Sequence, residues 1–127
     1  MKGCEAMEGA KTWYVPDGFF PPVSNGVYPS HEAICVLNPG EQDAEIEITL
    51  YFEEKAKMVG FKAICKGERT QHIRMDRLKN TNDEAVPVGV PYAMMVRSDV
   101  EIIVQYSRMD TTQAEMALMT TMGYPVG

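Results

Sequence analysis

Hydrophobic and polar residues alternate along much of this chain, most clearly at 44–52. There Ala44, Ile46, Ile48, Leu50 and Phe52 alternate with Glu45, Glu47, Thr49 and Tyr51. Successive side chains on a strand point to opposite faces, so the pattern predicts an amphipathic strand with its acids toward water. A weaker alternation over 58–65 sets Val59, Phe61 and Ala63 against Gly60, Lys62 and Ile64 and predicts another. Further strands are expected at Trp13-Tyr14-Val15, at 31–37 and at 69–75, where Thr70, His72 and Arg74 share one face. Two more are expected at 92–97 and 100–108, separated by a turn at Ser98-Asp99.

Turn chemistry falls between these segments. Pro16-Asp17-Gly18, Ser24-Asn25-Gly26, Asn38-Pro39-Gly40 and Gly67-Glu68 are turn signals, and Pro21 with Pro22 fixes φ and removes two backbone donors. The stretch 16–30 therefore reads as a loop, long enough to suggest a functional role, and 78–91 as a second loop. Asp110-Thr111-Thr112-Gln113 fits a capping box, so local propensity favours a short helix through Met119, with an extended segment as the alternative. Residues 1–11 are polar and aperiodic and read as a disordered lead-in, leaving 12–127 as a single domain. Regularly spaced strands with turns between them predict an all-β domain, a jelly-roll-like sandwich with little or no helix.

Composition narrows the function classes. At 127 residues and 45% hydrophobic content, the chain can bury one substantial core. Its net charge of −6 argues against nucleic acid as the main partner and against anionic lipid, since both favour a basic surface. No apolar run approaches a bilayer span, and the first residues lack the apolar segment of a signal peptide. Cys4, Cys35 and Cys65 are odd in number and lack metal-motif spacing, which fits reduced thiols in a cytoplasmic protein. The ten methionines are read as core filler.

Three polar clusters interrupt the strand-like sequence: Ser30-His31-Glu32, the 69–74 segment with Arg69, His72 and Arg74, and the 105–115 segment with Gln105, Arg108, Asp110, Gln113 and Glu115. If they converge they line a polar pocket; otherwise they are a solvated face. Two imidazoles and a carboxylate suggest a metal, but neighbours on a strand face opposite ways, so His31 and Glu32 cannot easily chelate one ion. No metal or other cofactor is expected, and hydrogen bonding is the favoured role. His72 beside Arg69 and Arg74 is a candidate base, yet no nucleophile motif or phosphate loop accompanies it, and no enzyme is expected. The arginine forks with Gln105, Asp110, Gln113 and Glu115 suit an anion or a sugar. Trp13, Tyr14, Phe19, Phe20 and Tyr106 are candidate apolar faces for a sugar ring, or else core.

The residues also carry a resemblance. Pro21-Pro22-x-Ser24-Asn25-Gly26, Ser30-His31-Glu32-x-x-Cys35-x-Leu37-Asn38-x-Gly40 and Asp43-Ala44-x-Ile46-x-Ile48-Thr49-x-Tyr51 resemble the sensory rhodopsin transducer family. Arg69-Thr70-x-His72-x-Arg74, Val104-Gln105-x-x-Arg108-x-Asp110-x-x-Gln113-Ala114-Glu115-x-Ala117-Leu118 and Tyr124 continue it in order, from about Trp13 to Tyr124. The resemblance implies a compact β-sandwich that assembles as a homotetramer. The family's founding member is a soluble cytoplasmic protein that binds the cytoplasmic side of a microbial sensory rhodopsin. Many relatives belong to organisms without that photoreceptor, and a carbohydrate-like ligand has been proposed for the family. The expectation is a non-enzymatic cytoplasmic protein binding a sugar or sugar-derived acid, oriented by Arg74 and Arg108 with His31 and His72. The alternative is an adaptor docking on a membrane photoreceptor or another signalling partner.

Overall fold

The computed structural model describes residues 8–113 and 117–127. Eight strands follow one another: β1 (Ala10–Phe19), β2 (His31–Asn38), β3 (Ala44–Phe52), β4 (Met58–Cys65), β5 (Arg69–Arg74), β6 (Pro91–Asp110), β7 (Ala117–Met122) and β8 (Tyr124–Val126). A single 3-10 turn, Met75–Arg77, lies between β5 and β6. The chain is all-β, and every strand pairing is antiparallel.

One strand organises the molecule. β6 runs for 20 residues. From Pro91 to Ile102 it lies between β3 and β1, giving the order β4-β3-β6-β1-β8. From Ile103 to Asp110 it lies between β2 and β7, giving β5-β2-β6-β7. The two arrays thus share β6 and contribute to a single hydrophobic core. Ile46, Ile48 and Leu50 of β3 meet Ile34 and Val36 of β2 in that core, together with Phe61, Val96, Ile102 and Val104. Burying a side chain of this size contributes about 1.5–3 kcal/mol, so the inward rows set which face each strand presents. Glu45 and Glu47 face water, as their alternation predicts.

Several boundaries differ from expectation. β1 begins at Ala10, two residues inside the expected lead-in; residues 1–7 of that lead-in lie outside the described residues. Pro16-Asp17-Gly18 does not end β1. The register slips between Val15 and Gly18, so the segment is a β-bulge that accommodates the proline within the strand. Ser98-Asp99 does not divide β6, because both neighbouring strands keep pairing up to it: Ser98 faces Ile46 and Arg97 faces Thr12. The helix favoured through Met119 is absent at 117–119, where β7 runs instead. Asp110 Oδ1 accepts from Thr112 N at 2.9 Å and Thr112 Oγ1 at 2.7 Å, so the capping chemistry makes a turn. The β6 edge then captures the segment that follows as a strand.

Both loops are tied down. Ser30 Oγ donates to Val23 O (2.8 Å), shares a hydrogen bond with Thr111 Oγ1 (3.0 Å) and accepts from Thr111 N (2.9 Å). Asn25 N also donates to Thr111 O at 2.7 Å, so the 20–30 loop is fastened to the end of β6. In the second loop, Asn80 Oδ1 accepts from Asn82 N and Glu84 N, closing a local turn.

Candidate functional site

Strand alternation divides the predicted polar residues between the two sides of the β5-β2-β6-β7 array. Cys35 pairs with both His72 and Gln105, and Ala33 pairs with both Arg74 and Ser107. These residues therefore lie on the outer face. Glu32 pairs with Arg108 and, two residues from the buried Ile34, turns inward. The three clusters consequently do not converge on one pocket. Arg74 and Arg108, expected to orient a ligand together, lie on opposite sides of the array.

The inward set is a buried network centred on Glu32, which is 1% exposed. Its Oε2 accepts from Phe19 N at 2.6 Å and from the Tyr106 hydroxyl, while its Oε1 accepts from the Tyr92 hydroxyl. Arg108 Nε donates to Tyr106 Oη at 3.0 Å, and the guanidinium lies 5.7 Å from the Tyr106 ring centroid. Arg108 Nη2 is buried and, among the described residues, makes no hydrogen bond; Asp17 Oδ2 is 3.8 Å away. A buried carboxylate needs donors to offset its lost hydration, and three converge here. The β1 bulge supplies one of them, since it brings Phe19 N onto Glu32. Gly18 permits the approach: a Cβ there would lie 2.9 Å from the Tyr92 ring and 3.4 Å from Glu32 Oε2.

Electrostatics follow from this geometry. Burial, then the Glu32 charge and its hydrogen bond, push the Tyr92 hydroxyl well above the usual tyrosine range. Burial and the hydrogen bond to Glu32 do the same for Tyr106, against a smaller opposing effect of Arg108. Burial works against the Arg108 charge. The hydrogen bond to Tyr106 and the nearby Asp17 and Glu32 outweigh it, leaving the guanidinium pKa raised. Tyr92, Tyr106 and Arg108 thus hold their protons around Glu32, an arrangement suited to holding strands together.

The outward set forms a shallow depression of about 250 Å³ lined by Cys35, Thr70, His72, Gln105, Ile103 and Met122, among others. His72 and Gln105 meet here. Arg74 does not join them, because its Nε and Nη2 donate to the two oxygens of Asp76 at 2.8 and 2.7 Å. Burial opposes the Asp76 charge, but this fork holds its carboxyl below the usual range. His31 is half-buried, with Nδ1 3.0 Å from Pro29 O, on the face opposite Glu32. Arg69 is exposed and, by alternation, turns away from His72. Ser30 and Asp110 are engaged in the loop ties and the turn. Gln113 is exposed beyond β6, and Glu115 lies outside the described residues.

The proposed aromatic faces also separate. Trp13 is 5% exposed and its Nε1 donates to Ala10 O and Ile102 O, both at 3.0 Å, so it is core. Tyr14 faces outward on the first array, and Tyr106 is fully buried. The sequence reading missed Asp17 and Tyr92 as partners of the inner set. A signal was present for Tyr106, which sits two residues before Arg108 and so shares its face; Tyr92 and Asp17 carried none without the fold.

Comparison with known proteins fits this architecture. The family model described as Anabaena sensory rhodopsin transducer matches residues 8–125. This chain belongs to that transducer family. The crystal structure of Thermotoga maritima 1070 superimposes with a TM-score of 0.84 at 34% identity, covering 94% of this chain and 97% of the other. The Anabaena sensory rhodopsin transducer itself superimposes with a TM-score of 0.72 at 33% identity, covering 86% and 96%. No curated protein matches the chain. The transducer family is a signalling family rather than a class of enzyme. Among the described residues, no helix is long and apolar enough to cross a membrane.

Proposed function

We propose that this transducer-family protein is a non-enzymatic cytoplasmic adaptor that signals by docking on a partner protein, with a membrane photoreceptor of the sensory rhodopsin type as the first candidate. One observation carries the reading: Ser30, Glu32, Arg74 and Asp110, expected to hold a ligand, are already engaged by partners within the chain, and Arg108 is drawn into the Glu32 network. Such residues hold the scaffold and leave its surfaces for contact. The exposed apolar residues Leu37, Leu118 and Met122 on and beside the outer face support assembly with further copies, the homotetramer that the family resemblance implies. Co-sedimentation with vesicles carrying a microbial sensory rhodopsin, against the same vesicles without it, tests the adaptor role. Binding only to the rhodopsin vesicles is the expected result, and equal recovery from both would sink it.

A second reading rests on the outer depression. Among the described residues, the side chains of His72 and Gln105 enter no hydrogen bond within the chain, so they are available to a small polar ligand such as a sugar or sugar-derived acid. A thermal-shift screen against sugars and sugar acids tests it. A ligand at a hundred times its Kd stabilises by about 2.7 kcal/mol, and that shift should vanish in His72→Ala. A flat screen removes this reading and leaves the adaptor.

A further inference from the structure

We infer that a groove on the first array, beside the β1 bulge, docks a basic, extended segment of a partner protein; the inference deepens the adaptor reading and rests on it. The groove is made of two adjoining depressions of about 350 and 370 Å³ that share Phe52, Glu53 and Pro91 along their border. It lies between the turn after β3 and the chain entering β6. Its floor is apolar, built from Phe52, Pro91 and Val90, the last 39% exposed. Each depression sits at the small end of the roughly 300–1,000 Å³ typical of enclosed ligand pockets, and both are open to solvent. A row of side chains from an extended peptide fits such a shape better than one enclosed molecule.

Two features select the occupant. The lining acids are Asp17, Glu53 and Glu54, against one lining cation, Lys55, whose Nζ already lies 4.7 Å from the Phe52 ring centroid. The Asp17 side chain is 83% exposed, and Glu53 and Glu54 are exposed. The rim is thus negative on a chain of net charge −6, which attracts and orients a basic partner. In addition, Pro16, Pro87 and Pro91 line the groove and have no N–H to donate. The occupant is therefore held by packing and charge rather than by adding a strand to the sheet. Cytoplasmic loops of membrane proteins carry an excess of lysine and arginine, so a receptor's cytoplasmic segment has the required chemistry.

The groove also connects inward. Tyr92 lines it and donates to Glu32, while Asp17 on its rim lies 3.8 Å from Arg108. A cation seated on Asp17 would lie beside the network that joins β1, β2 and β6.

Fluorescence anisotropy with a labelled nine-residue peptide of alternating arginine and leucine tests the proposal. Saturable binding is expected, weakened at least tenfold by Glu53→Lys with Glu54→Lys and by Val90→Asp. Glu45→Lys with Glu47→Lys, on the exposed face of β3 away from the groove, should leave the affinity within twofold. Equal weakening by both charge-reversal pairs would reveal general attraction to an acidic protein and overturn the site, as would no binding at all. The same variants in the rhodopsin-vesicle assay separate the two conclusions. Loss of receptor binding in the groove variants supports both. Wild-type receptor binding by those variants removes the groove and keeps the adaptor. Groove-specific peptide binding without any receptor binding keeps the groove and removes the photoreceptor as its partner.

Discussion

At the scale of single residues, Glu32 matters most. A buried carboxylate with three donors tolerates loss of its charge poorly. An amide that keeps its oxygen for Phe19 N and the Tyr106 hydroxyl turns its NH2 toward the Tyr92 hydroxyl, and every remaining bond loses its charge assistance. Glu32→Gln should cost about 1–3 kcal/mol, the range for leaving a buried hydrogen-bonding group mismatched, read as a lower denaturant midpoint. A loss below 0.5 kcal/mol, the scale of a neutral surface change, would show that the network contributes little. The tyrosines make a separate prediction. Tyr92 and Tyr106 have hydroxyl pKa values raised in the folded state, mainly by burial and then by Glu32. Their contribution to stability is therefore complete below the unfolded tyrosine value of about 10 and is lost as pH rises above it. Tyrosinate absorbance measured as wild type minus Tyr106→Phe should show no step near pH 10 while the protein stays folded. A step at that pH would contradict the assignment.

At the scale of elements, the β1 bulge does the positioning. Pro16 cannot donate to a ladder, and the slip between Val15 and Gly18 lets the strand pass it and deliver Phe19 N to Glu32. Gly18→Ala would press a methyl group against the Tyr92 ring. It should cost about 1–3 kcal/mol by overpacking, measured by urea unfolding, and should also move the Tyr92 hydroxyl off Glu32. An unchanged midpoint would mean that the bulge adjusts freely. The β6 result teaches a related lesson. Ser98-Asp99 is a turn signal in isolation, but here it makes an irregularity opposite Lys11, where the β1 register jumps from Arg97 to Ile102. Pairing of Ser98 with Ile46 and of Ile102 with Ala10 keeps β6 one strand, and tertiary pairing overrides local preference.

At the scale of the whole molecule, the outer faces decide how the protein meets others. Leu37 and Met122 are 46% and 54% exposed beside the His72 depression. Should that face join copies of the chain, Leu37→Lys with Met122→Lys will place charges in an apolar contact and lower the mass seen by light scattering. An unchanged mass would locate assembly elsewhere. The Phe52 groove lies on the other array, so docking and assembly can proceed on separate surfaces.

Much of this was legible in the chain itself, for physical reasons. The period of two at 44–52 depends only on side-chain alternation and burial, so β3 was readable to the residue, as was the all-β class. β4 keeps its expected bounds, but the register slip opposite Ile48 and Leu50 leaves Val59 exposed and Gly60 buried, against the expected alternation. The family motifs were equally readable, being local strings in order. Whether separated clusters meet was not readable, because strand register decides it. Pairing Cys35 with His72 and Gln105, and Glu32 with Arg108, sends the two sets to opposite sides of one array. The sequence determined which residues alternate, where turns are cheap and which polar groups need partners. Only the tertiary structure decided that Pro16-Asp17-Gly18 is a bulge, that 91–110 is one strand, and that Tyr92 and Asp17 join Glu32 and Arg108. Those outcomes depend on contacts between residues far apart in the chain, and local propensities carry no information about them.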